Sequence, residues 1–131
     1  MSKNITMLSG VYSTGTTNGS GFGVPGGSRY RWGIFTQNIT AIVATSGTVA
    51  TKLQYYDAAS ATWYDLKGGT QSNTVTFATA TATGSAFLTV SPGLTETSNK
   101  AFSQVLPAAL RGVVTIPAPA DPAVAVTQAG N

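Results

Sequence analysis

The chain contains no cysteine and no histidine among its 131 residues. Without cysteine it has no disulfide, no thiol nucleophile and no thiolate metal ligand, although this absence does not indicate a compartment. The missing histidine removes the commonest general base and the commonest metal ligand. We therefore expect a protein that is not an enzyme, with no catalytic residue, no cofactor and no metal site.

Charged residues are also scarce, since they make up 8% of the chain as seven Lys or Arg and four Asp or Glu, against about 25% in an average soluble domain. The formal net charge of +3 reflects the shortage of carboxylates more than a basic patch. A surface with so few charges resists association poorly, which favours partners that cover much of it. Clustered cations with interleaved aromatics occur only at residues 29–32, so we predict no direct contact with nucleic acid.

Long hydrophobic runs are absent as well. No stretch of about 18 apolar residues is present, which predicts no membrane-spanning helix and no membrane partner. Residues 1–8 lack the apolar length of a secretory signal. We expect a protein that is made and used without export.

Short β-strands separated by turn residues are what the sequence does contain. The segments Thr48–Asp57 and Thr62–Leu66 alternate in polarity around a short polar loop, which predicts a central β-hairpin. Similar segments recur about every 8 to 12 residues, a pattern typical of a β-sandwich or barrel. They cover residues 4–12, 30–38, 39–45, 73–79, 86–90, 111–116 and 123–127. Residues 101–110 allow either a strand broken at Pro107 or a short helical turn, and a strand followed by a turn is favoured. The pattern predicts an all-β, single-domain antiparallel sandwich over residues 1–131.

The segment Ser13–Ser28 consists almost entirely of Gly, Ser, Thr and Asn, and it offers too little apolar surface to offset the entropy of ordering. We predict an extended arm or long loop, with residues 1–30 as the arm region and residues 31–131 as the sandwich body. Arginine and tryptophan are favoured interface anchors, although a solvated edge explains them equally well. The candidate interface anchors are Arg29, Tyr30, Arg31 and Trp32.

Several short motifs match functional patterns without the required context. Residues 21–26 fit G-x-G-x-x-G but have no helix after them, so a flexible loop is favoured over a phosphate site. Three glycosylation sequons begin at Asn4, Asn18 and Asn38, as chance allows in a Thr-rich chain. A carboxylate pair could hydrolyse glycosides, but turn and surface roles are favoured for Asp57 and Asp65.

The aromatic residues of the hairpin allow two interpretations. Tyr55, Tyr56, Trp63 and Tyr64 could form a flat platform for sugar. Adjacent residues on a strand point to opposite faces, however, so one member of each pair belongs inside. Packing is therefore favoured, and the predicted structural core consists of Leu53, Tyr55, Trp63 and Leu66.

The hairpin also carries a family resemblance. The pattern V-x-x-x-L-Q-Y-Y-D-x-x-x-x-x-W-Y-D-L over residues 49–66, followed by LRGVVT at 110–115 and PAVAV at 122–126, resembles small β-sandwich structural proteins of tailed bacteriophages, notably capsid decoration or cement proteins. The resemblance covers about the C-terminal two-thirds of the chain. At the turn, residues 57–62 read DAASAT where such relatives often carry Ser-x-Asp-Gly.

The resemblance implies a jelly-roll-like module that forms a homo-oligomer, a trimer slightly ahead of a dimer, and clamps neighbouring subunits of the major capsid protein. Such a protein is made in the cytoplasm of the bacterial host and resides on the capsid surface of the virion. A rival hypothesis is a carbohydrate-binding or host-adhesion module of a head fibre or tail, which predicts glycan binding that is lost when Trp63 or Tyr56 becomes Ala. A third is a small glycosidase that depends on Asp57 or Asp65.

Overall fold

A computed structural model describes residues 3–12, 15–19, 22–23, 32–42, 48–69, 73–104, 109–116 and 123–130. These residues contain ten β-strands and no helix. The strands are β1 (Lys3–Val11), β2 (Gly15–Asn18), β3 (Phe22–Gly23), β4 (Gly33–Ala41), β5 (Ala50–Asp57), β6 (Thr62–Asp65), β7 (Gly84–Val90), β8 (Ala101–Phe102), β9 (Ala109–Ile116) and β10 (Ala123–Gly130).

The strands form two sheets. The first has the order β1-β10-β4-β7-β8, and the second has the order β2-β9-β5-β6, with β3 also paired to β9. All of these pairs are antiparallel except the short parallel pair of β7 and β8. The prediction of an all-β antiparallel sandwich is therefore confirmed.

The connectivity is that of a jelly roll. Eight strands remain when the two-residue strands β3 and β8 are set aside. They pair in nested order, the first with the last and so on: β1 with β10, β2 with β9, β4 with β7, and β5 with β6. Each sheet contains two of these pairs, so the chain crosses repeatedly between the sheets. Two four-stranded sheets connected in this way define the jelly-roll form of the β-sandwich.

The core lies between the sheets and follows the two-residue period of the strands. In β4, residues 33, 35, 37 and 39 are buried, whereas the intervening residues face away from the core. The largest fully buried apolar side chains are Phe35, Phe77, Phe102, Leu53, Leu88, Leu110 and Ile116. Leu66 is also buried, and Tyr55 is half-buried against this cluster.

Trp63, which the sequence places in the core, lies elsewhere. Its partner across the hairpin is Tyr56, and the neighbouring pair is Tyr55 with Tyr64. Because Leu53 and Tyr55 share the inner face of β5, Tyr56 points outward and Trp63 faces outward with it. Trp63 therefore belongs to the outer face of the second sheet.

The predicted arm contains paired strands. Gly15–Asn18 pairs with residues 113–116 of β9, and β3 pairs with Leu110 and Ala109. Backbone hydrogen bonds supply this pairing, so the segment needs few apolar side chains of its own. At Gly19 the N–H donates to the Gly112 carbonyl over 2.7 Å. A side chain at Gly19 would meet the Met7 carbonyl oxygen at 2.9 Å, so glycine permits this close approach.

Two other predicted segments differ in detail. Residues 73–79 form isolated bridges instead of a continuous strand, through Thr74 with Lys67 and Thr76 with Lys52. Residues 101–110 contain β8 at one end and the start of β9 at the other. In the arm region, residues 3–11 form β1, whose partner β10 lies near the other end of the chain.

Candidate interaction surfaces

Of the four predicted interface anchors, the structure describes only Trp32. Arg29, Tyr30 and Arg31 lie outside the described residues, and Trp32 is half-buried immediately before β4. The described residues form two other candidate surfaces, one on the outer side of each sheet.

The outer side of the first sheet is a face without charge. It is built by Ile34, Thr36 and Asn38 of β4, Ser85, Phe87 and Thr89 of β7, and Ala125 and Thr127 of β10, and we call it the uncharged face. These residues point outward because they alternate with buried ones, such as Phe35 and Leu88. No charged residue occurs in β4, β7 or β10.

Phe87 is the most prominent side chain on the uncharged face. It is 63% exposed and lies opposite Thr36 on β7, which pairs with β4 on one side and, only at residues 89 and 90, with β8 on the other. Ile34 is 38% exposed on the adjacent strand. Large apolar side chains in solvent, on a face with no charge to desolvate, mark a surface suited to contact with another macromolecule.

The outer side of the second sheet has the opposite character. Lys52, Gln54 and Tyr56 project from it because they alternate with the buried Thr51 and Leu53. β6 and β9 add side chains beside them through the register of the sheet. We call the group the cation–aromatic face, and its members are Lys52, Gln54, Tyr56, Trp63, Asp65 and Arg111.

A continuous chain of polar contacts crosses the cation–aromatic face. The Arg111 Nε donates to Gln54 Oε1 over 2.8 Å, and Gln54 Nε2 donates to Asp65 Oδ1 over 3.0 Å. The Lys52 ammonium lies 2.9 Å from the same Asp65 oxygen. These contacts tie the three strands together across the sheet.

The aromatic members of the face lie next to this polar chain. The Arg111 guanidinium lies over the Trp63 ring, 4.5 Å from its centroid. The Tyr56 and Trp63 rings are 5.1 Å apart at an interplanar angle of 52°. The result is an angled apolar wall beside a cation, which differs from the flat platform that the sequence suggests for sugar stacking.

The other two hairpin aromatics belong to the opposite side. Tyr55 and Tyr64 have ring centroids 5.8 Å apart, and Tyr55 packs against the core. Tyr64 is 43% exposed because the hairpin extends beyond the core at this end. The four aromatics therefore form two separate pairs, as the two-residue period of a strand requires.

The acidic residues of the hairpin are engaged in structural contacts. Burial by itself raises the pKa of Asp65, but the hydrogen bond from Gln54 and the Lys52 ammonium outweigh it and lower the pKa below its ordinary value. An ionised Asp65 accepts hydrogen bonds at neutral pH and holds no proton to donate. Asp57 accepts from the Ala59 N–H and the Ser60 hydroxyl, as a turn-forming Asp does.

Glu96 fastens a loop to the edge of the sandwich. Its Oε2 accepts the N–H groups of Gly69 and Ser103, each over 2.9 Å. A shallow depression of about 270 Å³ lies nearby, lined by Asn73, Thr74, Thr76, Ser98, Asn99 and Phe102. Across the described parts of the chain, no three Asp, Glu, His or Cys side chains come together as a potential metal site.

Sequence reasoning missed Gln54 and Arg111 as members of a site. Gln54 carries a local signal, because it alternates with Lys52 and Tyr56 on an outward-facing row. No local sequence signal points to Arg111, because it lies on a different strand and meets Gln54 only through the pairing of β5 with β9.

Comparison with protein-family models, with curated proteins and with solved structures gives no match to this chain. Within the described residues, no helix is long and apolar enough to cross a membrane. The fold and the two surfaces define a jelly-roll-like β-sandwich with one uncharged outer face and one cation–aromatic outer face.

Proposed function

We propose that this protein is a non-enzymatic structural protein of a tailed-phage virion. It binds the outer surface of the capsid as a homo-oligomer, a trimer in preference to a dimer, and stabilises contacts between subunits of the major capsid protein. The observation that carries the proposal is the uncharged face, with Phe87 exposed on its β7 side. Jelly-roll sandwiches serve in viral capsids, and this fold-level analogy supports the assignment.

Covering the uncharged face is favourable because it buries apolar surface and desolvates no charge. Burying one large apolar side chain contributes about 1.5 to 3 kcal/mol, and a face without charges has no ionic group to desolvate. Phe87 and Ile34 therefore favour association, while Asn38 and Ser85 form a polar end of the face. Each contact is modest, but symmetry repeats it in every copy around an axis.

The test uses capsids of the phage that encodes the protein, stripped of accessory proteins. We expect the purified chain to co-sediment with them and to raise their resistance to heat or chelation. Phe87→Asp places a charge on the uncharged face, so occupancy should fall by more than about tenfold, because a buried unpaired charge costs several kcal/mol. Ile34→Asp should act in the same direction.

Ala58→Asp is the matched control, since it adds the same charge at an exposed turn beyond the second sheet. It should leave capsid occupancy unchanged. Point substitutions are preferable to deletion of residues 1–28, because that deletion removes β1, β2 and β3. A chain that sediments as a monomer at micromolar concentration and does not bind the capsids contradicts the proposal.

A further inference from the structure

We infer that the cation–aromatic face is a binding site for acidic polysaccharide, in which Arg111 holds a sugar carboxylate and the rings of Tyr56 and Trp63 contact the sugar. The inference goes beyond the proposed function and is independent of it, because it concerns the opposite sheet. It also modifies the sugar platform that the sequence suggests, since it requires a charged ligand.

Arg111 has no acidic partner among the described residues. Lys52 has a carboxylate partner in Asp65 at 2.9 Å, whereas in the described part of the chain Arg111 donates to the neutral Gln54 side chain and lies over the Trp63 ring. Among the described residues no carboxylate lies within ion-pairing distance of the guanidinium. An Arg without a counter-ion beside partly exposed aromatic rings is suited to an anionic ligand.

The guanidinium of Arg111 is also held in place by a chain of polar contacts. Its Nε is occupied by Gln54, whose own amide is held by Asp65, and Asp65 is held by Lys52. The terminal nitrogens of Arg111 have no hydrogen-bond partner among the described residues. These nitrogens can bind a carboxylate, whose two oxygens match the forked geometry of Arg. Because the side chain is already ordered, it loses less entropy on binding.

Two aromatic rings form an apolar wall beside the guanidinium. Tyr56 is 38% exposed and Trp63 is half-buried, and their rings meet at 52°. The C–H surface of a sugar ring packs on aromatic rings of this kind, while the tyrosine hydroxyl is available for hydrogen bonding. A uronic or sialic acid combines both features, because it presents a carboxylate next to an apolar ring surface.

The charge pattern favours a polysaccharide over other polyanions. Nucleic acid is bound by several cations spread along the phosphates, whereas among the described cations at this face Lys52 and Lys67 both act on the Asp65 carboxylate, and Arg111 is the one without an acidic partner. An acidic protein segment supplies carboxylates but no rigid ring with an apolar side. These two ligands are therefore alternatives that the experiment must separate.

Binding is measured by calorimetry on the full chain. The probes are oligogalacturonate and oligosialic acid, with a neutral galacto-oligosaccharide of the same length, poly-glutamate and single-stranded DNA as comparisons. We expect both acidic sugars to bind, and the neutral sugar to bind at least about tenfold more weakly, because the charge-assisted contact is lost. Added salt should weaken the binding.

Five variants, one of them a control, assign the contacts. Arg111→Gln and Trp63→Ala should each reduce affinity for the acidic sugars at least about tenfold. Arg111→Lys should restore only part of the loss, because it keeps the charge without the fork. Tyr64→Ala is the matched control for Tyr56→Ala, since it removes a tyrosine of similar exposure from the other side of the same hairpin.

The variants also separate this inference from the capsid proposal. Phe87→Asp should leave sugar binding unchanged, and Arg111→Gln should leave capsid occupancy unchanged. If circular dichroism shows that Trp63→Ala is unfolded, Tyr56→Ala provides the test of the aromatic wall.

Three results would overturn the inference. They are equal affinity for neutral and acidic sugars, no binding of either acidic sugar at millimolar concentration, and Arg111-dependent binding of poly-glutamate or DNA that is tighter than that of both acidic sugars.

Discussion

Gln37 and Thr51 show how single residues join the two sheets. Gln37 lies on β4 and Thr51 on β5, and both are almost completely buried in an otherwise apolar core. The Thr51 hydroxyl donates to the side-chain oxygen of Gln37. This contact satisfies two polar groups that would be costly to bury without a partner.

Thr51→Val tests this contact. The substitution leaves the Gln37 oxygen without its donor, so the free energy of unfolding should fall by about 1 to 3 kcal/mol. The double variant Thr51→Val with Gln37→Met replaces both groups by apolar ones of similar volume and should recover most of the loss. Urea unfolding at neutral pH measures both effects.

Thr36→Val is the control for the Thr51 substitution, because Thr36 is a half-buried residue on the outer side of β4. It should change the free energy of unfolding by less than about 0.5 kcal/mol. A double variant that is as unstable as Thr51→Val alone would contradict the role assigned to the pair.

Gly68 and Glu96 form a second contact that depends on single residues. A Cβ at Gly68 would collide with the Glu96 Oε2. The same oxygen accepts the N–H groups of Gly69 and Ser103. Glycine at position 68 therefore allows the carboxylate to approach the backbone and to fasten the loop.

At the scale of elements, β5 and β6 form a hairpin of two consecutive strands. Its turn is organised by Asp57, which accepts the Ala59 N–H and the Ser60 hydroxyl. Ala61 completes the turn with φ of 53°, in the left-handed region that favours glycine. The turn therefore carries a local cost, which the pairing of the two strands offsets.

Ala61→Gly should relieve that cost. We expect the free energy of unfolding to rise by about 0.5 to 1 kcal/mol, because glycine adopts the left-handed conformation without a steric penalty. Thermal and urea unfolding measure the gain. Ala59→Gly in the same turn is the control, and it should be neutral or slightly destabilising, since Ala59 does not have a positive φ. A loss of stability in Ala61→Gly would contradict the interpretation of the turn.

At the scale of the whole molecule, the nested pairing brings distant parts of the chain together. Lys3 of β1 pairs with Gly130 of β10, and β10 lies between β1 and β4 in the first sheet. Paired residues of antiparallel strands lie about 5 Å apart. Residues near both ends of this sequence are therefore neighbours, and the first sheet is not continuous without β10.

Circular permutation and truncation test this arrangement. Joining residue 131 to residue 1 through a short Gly/Ser linker, with new ends between Ala58 and Ala59, keeps every strand pair and should give a folded protein. Removal of residues 123–130 should abolish cooperative unfolding, because it separates β1 from β4. Far-UV circular dichroism and urea unfolding compare the two variants. A truncated chain that still unfolds cooperatively would contradict the central role of β10.

The sequence by itself determined the all-β class, the position of the hairpin and the burial of Leu53 and Leu66. These features depend on the two-residue period of strands and on turn chemistry, which act over a few neighbouring residues. The resemblance to phage decoration proteins and the interface role of Arg29, Tyr30, Arg31 and Trp32 stay predictions. The first three of those residues lie outside the described part of the chain.

Only the tertiary structure decided which residues meet across the sheets. It placed Trp63 outside the core, paired Gly15–Asn18 with β9 and set Arg111 over the Trp63 ring. Local patterns specify that a segment is a strand and which of its residues share a face. They do not specify its neighbours, because strand order and register arise from packing and hydrogen bonding between segments far apart in the chain.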